Sequence, residues 1–478
     1  MNPGSFPYFI LVAITLFLYY LIRNNQIKQW LLLLSSLVFI SYFGLHSAIA
    51  VVLFSGINFY YGNWAVKKGY TFNKLVFING LNIAILLISR FFTELKFAQL
   101  PFFVEHQFNG KFLAFMGIGF YSLQLIAYQI DLYKKRFAPD NELVGMILGN
   151  AFFARVSSGP FMSIQAFQKQ LADLPKSFTE ANFTLGLQRI LLGLIKKLVI
   201  AERLSAVVDR TFGNMQEMHS GYGVASASIL YTIELYFDFS GYIDIALGTA
   251  QLFGIKLNEN FNSPFQSSSI SEWWRRWHIT LINWFTQYIY YPVAYRFRSK
   301  RTMATYIAIA TTFSISALWH GLGVTYMIWG GLHVLYLIIE TYLKKPLSQL
   351  QQNLTPAGYK IIFIPITVLL VSFSHLFFRS NNIEDAGILF RQLIDLKNFL
   401  PQVTLGEWLT QGEQGSVEYA FNIRLGLVFA ILYLFFEAKI LNWVKAPEYK
   451  IYRVVVLILI LTTLGVFDKA SRFIYMQF

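Results

Sequence analysis

Not one of the 478 residues is a cysteine. Disulfides, a thiolate nucleophile, S-palmitoylation and cysteine-ligated metal are excluded, so a covalent intermediate could sit only on oxygen or nitrogen. Charge is scarce too, with 13% of residues charged against 55% hydrophobic and 18% aromatic. So little charge cannot solvate the surface of a soluble fold, and the composition is that of a polytopic membrane protein. The charge is also lopsided: 39 Lys and Arg face 25 Asp and Glu, a formal net charge of +14. The excess lies in short runs between apolar segments rather than in one large patch. That is the pattern of inside-facing loops, and it argues against a nucleic-acid partner. No HExxH-type spacing accompanies the histidines, so no metal is expected. A cleavable signal pattern is missing as well. The first apolar segment, Phe6 to Ile22, has no Lys or Arg before it and Arg23 and Lys28 after it, the polarity of a retained span with its N-terminus outside.

What is present is one apolar segment after another. Trp30 to Gly62 divides near Gly44 and His46 into a hairpin, Lys67, Lys68 and Lys74 mark the inside, and Leu75 to Phe92 runs outward. Phe112 to Ile130 returns to Lys134, Lys135 and Arg136. Val144 to Pro160 is apolar, too short to span and broken by SSGP, which reads as a re-entrant or interfacial element. Gln188 to Ala201 carries Lys196 and Lys197, so it is either a tilted span or a surface helix with snorkelling lysines. Ser271 to Tyr291 reads as one aromatic, basic helix, followed by the strong inside marker of Arg296, Arg298, Lys300 and Arg301. Thr302 to Trp319 and Gly323 to Tyr342 either cross fully or dip in as half-helices, with the same parity either way. Ile361 to Phe378 leads to an external loop, 379–420, of acidic balance. Phe421 to Phe436 and Val454 to Phe467 then leave the tail, 468–478, outside. The expected fold is all-α and polytopic, a single membrane domain over 1–478 with about 11–12 transmembrane segments plus re-entrant or interfacial helices.

An ionisable group in hydrocarbon costs about 2.5–3.5 kcal/mol for Arg, Lys or Asp on insertion scales, so such residues ordinarily face a site or a partner. Asp238, Gly241, Asp244 and Gly248 fall at spacings of 3, 3 and 4, giving the segment Gly223 to Phe253 one small, acidic face. Close packing with charge pairing is one reading of that face, and support of a nearby site is the other. Asp131 reads as a solvated or paired helix end. His46, His219, His333 and His375 read as satisfied core residues. His278 and His320, 42 positions apart, differ because each stands beside tryptophan at a helix break. The first lies in SEWWRRWH with Trp274, Arg275, Arg276 and Trp277, and the second in ALWHG after Trp319. A histidine suits the role of base for a hydroxyl and acid for a departing thiol. Transfer of an acyl group from thioester to alcohol needs little else besides stabilisation of the oxyanion.

The stretches SEWWRRWHITLINWF and SALWHG resemble the tryptophan- and arginine-rich helix and the catalytic-histidine segment of the membrane-bound O-acyltransferases. GIGFYSLQLIAYQIDLY, YFDFSGYIDIALG, FNSPF and HLFFRS resemble further blocks, in order, of the bacterial branch that acetylates alginate and peptidoglycan. The resemblance therefore covers most of the chain. It implies a ring of helices around a thin floor, with a central tunnel joining a cytoplasmic donor entrance to an external acceptor entrance. It implies His320 as catalytic base and His278 as a second catalytic histidine lining the tunnel. Trp274, Arg275, Arg276, Trp277, Trp319, Asp238 and Asp244 would line or support that tunnel. The chain departs from the family phrase FRDYxYIPLGG, with Thr286 and Gln287 in place of Arg-Asp and Ala294 and Tyr295 in place of the glycines, so no role is carried over to that loop. The terminal FIYMQF is similar to the motif ending the small partner peptide of teichoic-acid D-alanylation, which implies an acyl relay at Tyr475. An amphipathic tail resting at the interface is the other reading of those residues.

By this resemblance the protein is expected in the bacterial cytoplasmic membrane, taking acetyl from cytoplasmic acetyl-CoA to an extracytoplasmic hydroxyl for O-acetylation of a cell-wall polymer or exopolysaccharide. Membrane lipid, an SGNH-type extracytoplasmic transferase and the polysaccharide acceptor are the partners implied. D-alanyl transfer to teichoic acid from a carrier protein is the alternative within the enzyme class. A non-catalytic transporter is the alternative outside it, although no inverted repeat is visible.

Overall fold

The computed structural model describes residues 3–94, 115–139, 142–214, 220–399, 417–446, 451–467 and 473–474. Among them every regular element is helical. Six helices are long and apolar enough to cross a bilayer: Leu45–Lys67, Phe72–Phe92, Thr302–His320, Val324–Tyr342, Pro356–Arg379 and Ile423–Lys445. Phe6–Leu21 and Ile451–Leu464 are shorter apolar helices. Their outer faces are bare and greasy, with Phe17 68%, Ile361 73% and Phe435 76% exposed, as side chains meeting lipid would be. The protein is thus an all-α, multi-pass membrane protein. Thr302–His320 and Val324–Tyr342 are each 19 residues long, roughly 28 Å at 1.5 Å per residue, so both can cross without a half-helix break.

Local signals set the helix starts. Asn24 accepts hydrogen bonds from the Gln26 and Ile27 backbone amides, Ser220 from Gly223, and Thr355 from Gly358 ahead of Pro356 at the first helical position. Gly44, at φ +131°, makes the sharp link between Asn25–Ser41 and Leu45–Lys67.

The middle of the molecule is the helix Gly221–Leu252, 32 residues long and buried along most of its length. Glu180–Ile195 lies along it through paired glycines. A Cβ on Gly193 would stand 2.5 Å from the Gly241 carbonyl oxygen, and one on Gly248 2.5 Å from that of Gly186. Only hydrogen fits at such separations, so the small face read from the sequence is a packing seam.

That seam carries charge. After Ile195 the helix widens into a π-helical segment, Lys196–Ala201, in which both lysines are buried. Lys196 reaches Asp244 at 2.7 Å, while Lys197 reaches Asp238 at 2.6 Å and Glu202 at 2.8 Å. Arg189 meets the same Asp244 at 2.5 Å and Glu259 at 2.7 Å. The snorkelling reading of Lys196 and Lys197 is therefore corrected. Carboxylates on the neighbouring helix supply an internal partner, and turning inward satisfies the charge better than stretching to an interface. The extra residue per turn of a π segment is what lets two consecutive lysines aim at carboxylates six positions apart on one helix.

The stretch read as one helix from Ser271 to Tyr291 is three pieces. Ile270–Arg276 ends at an extended Trp277, and His278 stands at φ +45° before Ile279–Phe285. A π-helical turn, Thr286–Tyr290, then leads into Tyr291–Arg296. No glycine or proline marks the break at 277–278. What holds it is Asn260, whose carbonyl accepts from the Ile279 amide at 2.9 Å and whose side-chain oxygen accepts from the Thr280 amide at 3.1 Å.

Breaking the buried charge lattice should be costly. Asp244→Asn leaves Arg189 and Lys196 facing each other without their shared anion, a loss on the order of 3–5 kcal/mol. Thermal unfolding of the purified protein in detergent should show a clearly lowered midpoint; an unchanged midpoint would contradict the lattice.

Candidate active site

His320 is the last residue of Thr302–His320, at the end remote from the basic run at 296–301, and is 4% exposed. Its neighbour Trp319 fastens it. The Trp319 indole Nε1 donates to the Gly119 carbonyl at 3.0 Å, and Arg90 Nη2 donates to the Trp319 carbonyl at 3.1 Å. Gly119 is small for a reason, since a Cβ there would lie 3.2 Å from Arg90 Nη2.

His278 is held by a hydrogen-bond chain whose polarity can be read link by link. The Phe161 amide donates to Thr280 Oγ1 at 2.9 Å, and the Thr280 hydroxyl donates to Asn260 Oδ1 at 2.9 Å. The Thr280 amide points at the same Oδ1, which fixes that atom as oxygen and not nitrogen. His278 Nδ1, 3.2 Å from this oxygen, must therefore carry a proton and donate it. The tautomer follows: Nε2 of His278 is left as the basic nitrogen.

The two histidines belong to one collar of rings. From His278 the contacts run to Phe120 at 6.4 Å, then to Trp319 at 5.4 Å, then to His320 at 4.8 Å. The circuit closes through Phe378, 5.3 Å from His320, His375, 6.0 Å from Phe378, and Trp277, 6.4 Å from His375 and covalently next to His278. Phe239 completes the surround of His278 at 4.9 Å.

The other residues singled out in the sequence divide. Trp277 and Trp319 lie on the collar. Trp274 stands behind it, donating from Nε1 to His333 Nδ1 at 3.3 Å. Arg275 is exposed, and Arg276 pairs with Glu272 at 2.9 Å. Asp238 and Asp244 sit in the charge lattice, with Asp238 touching the site through its neighbour Phe239. Asp131 is paired, to Arg136 at 2.7 Å and to the Tyr288 hydroxyl at 2.7 Å. Tyr475 lies outside the described residues. The two residues just before it do not: Phe473 is buried, with Lys197 4.9 Å over its ring, and the Ile474 amide donates to Asp238 Oδ2 at 2.7 Å.

Three functional candidates escaped the sequence. Asn260 stands immediately before FNSPF and carried no role in the sequence reading. His375, read as a core histidine, stands on the collar. Its Nδ1 lies 3.0 Å from Thr232 Oγ1, whose own proton goes to the Ser228 carbonyl, so His375 donates from Nδ1. Trp329 packs on His320 at 5.1 Å and gave no signal beyond an aromatic residue in an apolar run. His333 is the satisfied core histidine expected, accepting from Trp274 and donating from Nε2 to Ser374 at 3.0 Å. Among the described residues no three His, Asp or Glu side chains converge as a metal would require.

Such a site, two buried imidazoles in an aromatic collar, can move a proton between a hydroxyl and a thiol. The model of the membrane-bound O-acyltransferase family matches residues 147–376, a range holding both histidines. The probable alginate O-acetylase of Pseudomonas fluorescens is 30% identical over 401 residues, 84% of this chain and 75% of that protein. The peptidoglycan O-acetyltransferase of Helicobacter pylori is 28% identical over 424 residues, 82% and 77% of the two chains. The teichoic acid D-alanyltransferase of Bacillus subtilis is 27% identical over 379 residues, 72% and 89%. With collar, fold and relatives in agreement, the chain belongs to the membrane-bound O-acyltransferase family and is an O-acyltransferase.

Proposed function

We propose that the enzyme takes acetyl from cytoplasmic acetyl-CoA to a hydroxyl outside the bacterial cytoplasmic membrane, for O-acetylation of a cell-wall polymer or exopolysaccharide. The observation that carries the reading is the collar itself, which links the buried His320 to the buried His278 through the rings of Trp319 and Phe120. His320 takes the proton of the acceptor hydroxyl as its oxygen attacks the thioester carbonyl, and returns a proton to the thiolate of CoA. His278, its tautomer fixed by Asn260, presents Nε2 as a second basic group lining the path.

Both entrances have support. A cavity of about 560 Å³ is lined by Lys134, Arg136, Arg296 and Arg298 with Gln287, Tyr291 and Tyr295, a cationic and aromatic surface suited to the phosphates and adenine of CoA. It lies among the basic loops that the positive-inside rule assigns to the cytoplasm, which leaves both chain termini outside. The charged segment at 379–420, expected as a loop but containing the helix Ile383–Ile394, then belongs to the external face, where an SGNH-type transferase would pass the group to the polysaccharide. On that side the tail supports an acyl relay at Tyr475. Ile474 is hydrogen-bonded to Asp238, and Asp238 is followed by Phe239, which packs on His278. The likeness to alginate and peptidoglycan O-acetylating proteins favours acetyl. The likeness to the D-alanyltransferase keeps D-alanyl transfer from a carrier protein as the second reading. Membership of an acyltransferase family removes the transporter reading.

His320→Ala should lower transfer by at least the roughly 10²–10⁴-fold typical of a lost general base, at normal protein level. Labelled acetyl-CoA and the purified protein read this directly, and undiminished transfer would sink the assignment. Tyr475→Phe should abolish label on the C-terminal peptide in mass analysis; normal onward transfer by that variant removes the relay. Asn260→Asp keeps the acceptor for His278 Nδ1 but adds a negative charge that favours the protonated ring. With His278 acting as a basic group on the proton path, the acid limb of the pH–rate profile should therefore move to higher pH, and a limb that stays in place removes His278 from that path.

A further inference from the structure

We propose that the indole Nε1–H of Trp329 is the oxyanion donor for the acyl transfer at His320. When the acceptor oxygen bonds to the thioester carbon, the carbonyl π pair moves onto oxygen, and that charge needs a preorganised donor in a low-dielectric site. The indoles in and around the collar are candidates, and most of their N–H groups are engaged in holding the fold. Trp319 donates to Gly119 O at 3.0 Å, Trp284 to Leu123 O at 3.0 Å, and Trp274 to His333 at 3.3 Å. Trp329 differs. Its side chain is 2% exposed and its Nε1 has no hydrogen-bond partner among the described residues. An indole N–H can only donate, and a buried one ordinarily finds an acceptor, so an unengaged one beside a catalytic base calls for an acceptor that arrives with the substrate.

Geometry supports the same assignment. The Trp329 ring lies 5.1 Å from that of His320 at an interplanar angle of 82°. It is backed by Phe378 at 5.3 Å and His333 at 5.2 Å, so it cannot swing away without disturbing the collar. The next residue, Gly330, brings the two helices together: a Cβ there would lie 2.9 Å from the Ala317 Cβ and 3.0 Å from the Phe313 carbonyl oxygen. Trp329 is thereby pressed onto the end of the helix that carries His320.

The step balances. The acceptor O–H proton goes to His320, the new C–O bond forms, and the former carbonyl oxygen, now anionic, accepts from Trp329. Collapse restores the C=O bond and breaks C–S, and the thiolate takes the proton from His320. The products are an ester and a free thiol. The assignment rests on His320 as the base, so the test must separate the two.

The full-length protein is purified in detergent as wild type, His320→Ala, Trp329→Phe and a variant carrying benzothienylalanine at 329, in which sulfur replaces the N–H in a ring of nearly the same shape. Thiol release is followed from whichever of acetyl-CoA and D-alanyl-phosphopantetheine the wild type turns over. Loss of kcat of about 10²–10³-fold in both 329 variants, with KM for the donor within about threefold of wild type, is the expected result. If Trp329→Phe fails to fold, the benzothienyl variant alone decides. A benzothienyl variant with kcat within about threefold of wild type, or with its loss confined to KM, overturns the proposal while leaving His320 intact. Full activity of His320→Ala instead overturns the assignment of the base and the oxyanion proposal with it.

Discussion

Three cations and three carboxylates meet where Glu180–Ile195 and the π-helical turn after it lie against Gly221–Leu252. Arg189, Lys196 and Lys197 face Asp238, Asp244 and Glu202 at 2.5–2.8 Å. Charges withdrawn from water to this degree are costly unless each finds a partner, and a shift of one helix along the other would leave several unpaired. Apolar contacts alone would tolerate such a slide, because one aliphatic surface resembles the next. The glycine pairs Gly186–Gly248 and Gly193–Gly241 bring the backbones close, and the ion pairs set the register.

That register reaches the chemistry through two successive residues. Asp238 ties the lattice to the tail at Ile474, and Phe239, next along the helix, packs on His278. On the far side of the collar, Trp319 is bonded to Gly119 and Arg90, which positions His320 from a different pair of helices. The site is thus held by side chains whose own polar groups are already engaged, the preorganisation that acyl transfer in a low-dielectric enclosure requires. Loosely placed imidazoles in the same grease would have no fixed tautomer and no defined approach for the acceptor.

Much of this was legible in the sequence, and the remainder was hidden for identifiable reasons. Long apolar runs and their basic flanks give the all-α membrane architecture, because hydrocarbon permits little else. His278 and His320 stand out because ionisable groups at tryptophan-rich breaks have no bland solution. Lys196 and Lys197 were ambiguous, since the choice between an interface and a buried partner depends on which helix lies alongside. The break at Trp277–His278 left no mark because the left-handed turn there is made by histidine and held by a side chain 18 positions earlier. Asn260 and Trp329 are matters of orientation: sequence shows an amide and an indole but not which way the Oδ1 or the N–H points. His375 looked like a core residue because its place on the collar depends on the helix Pro356–Arg379 meeting Trp277.

The central claim is that acyl transfer takes place inside the collar, at His320. Its most direct test is a cryo-electron microscopy structure of the full-length protein with a non-transferring ketone analogue of acetyl-CoA. The account predicts the analogue's carbonyl inside the collar, about 3–3.5 Å from the His320 imidazole. An analogue that binds with its carbonyl outside the collar and out of reach of His320 would contradict it.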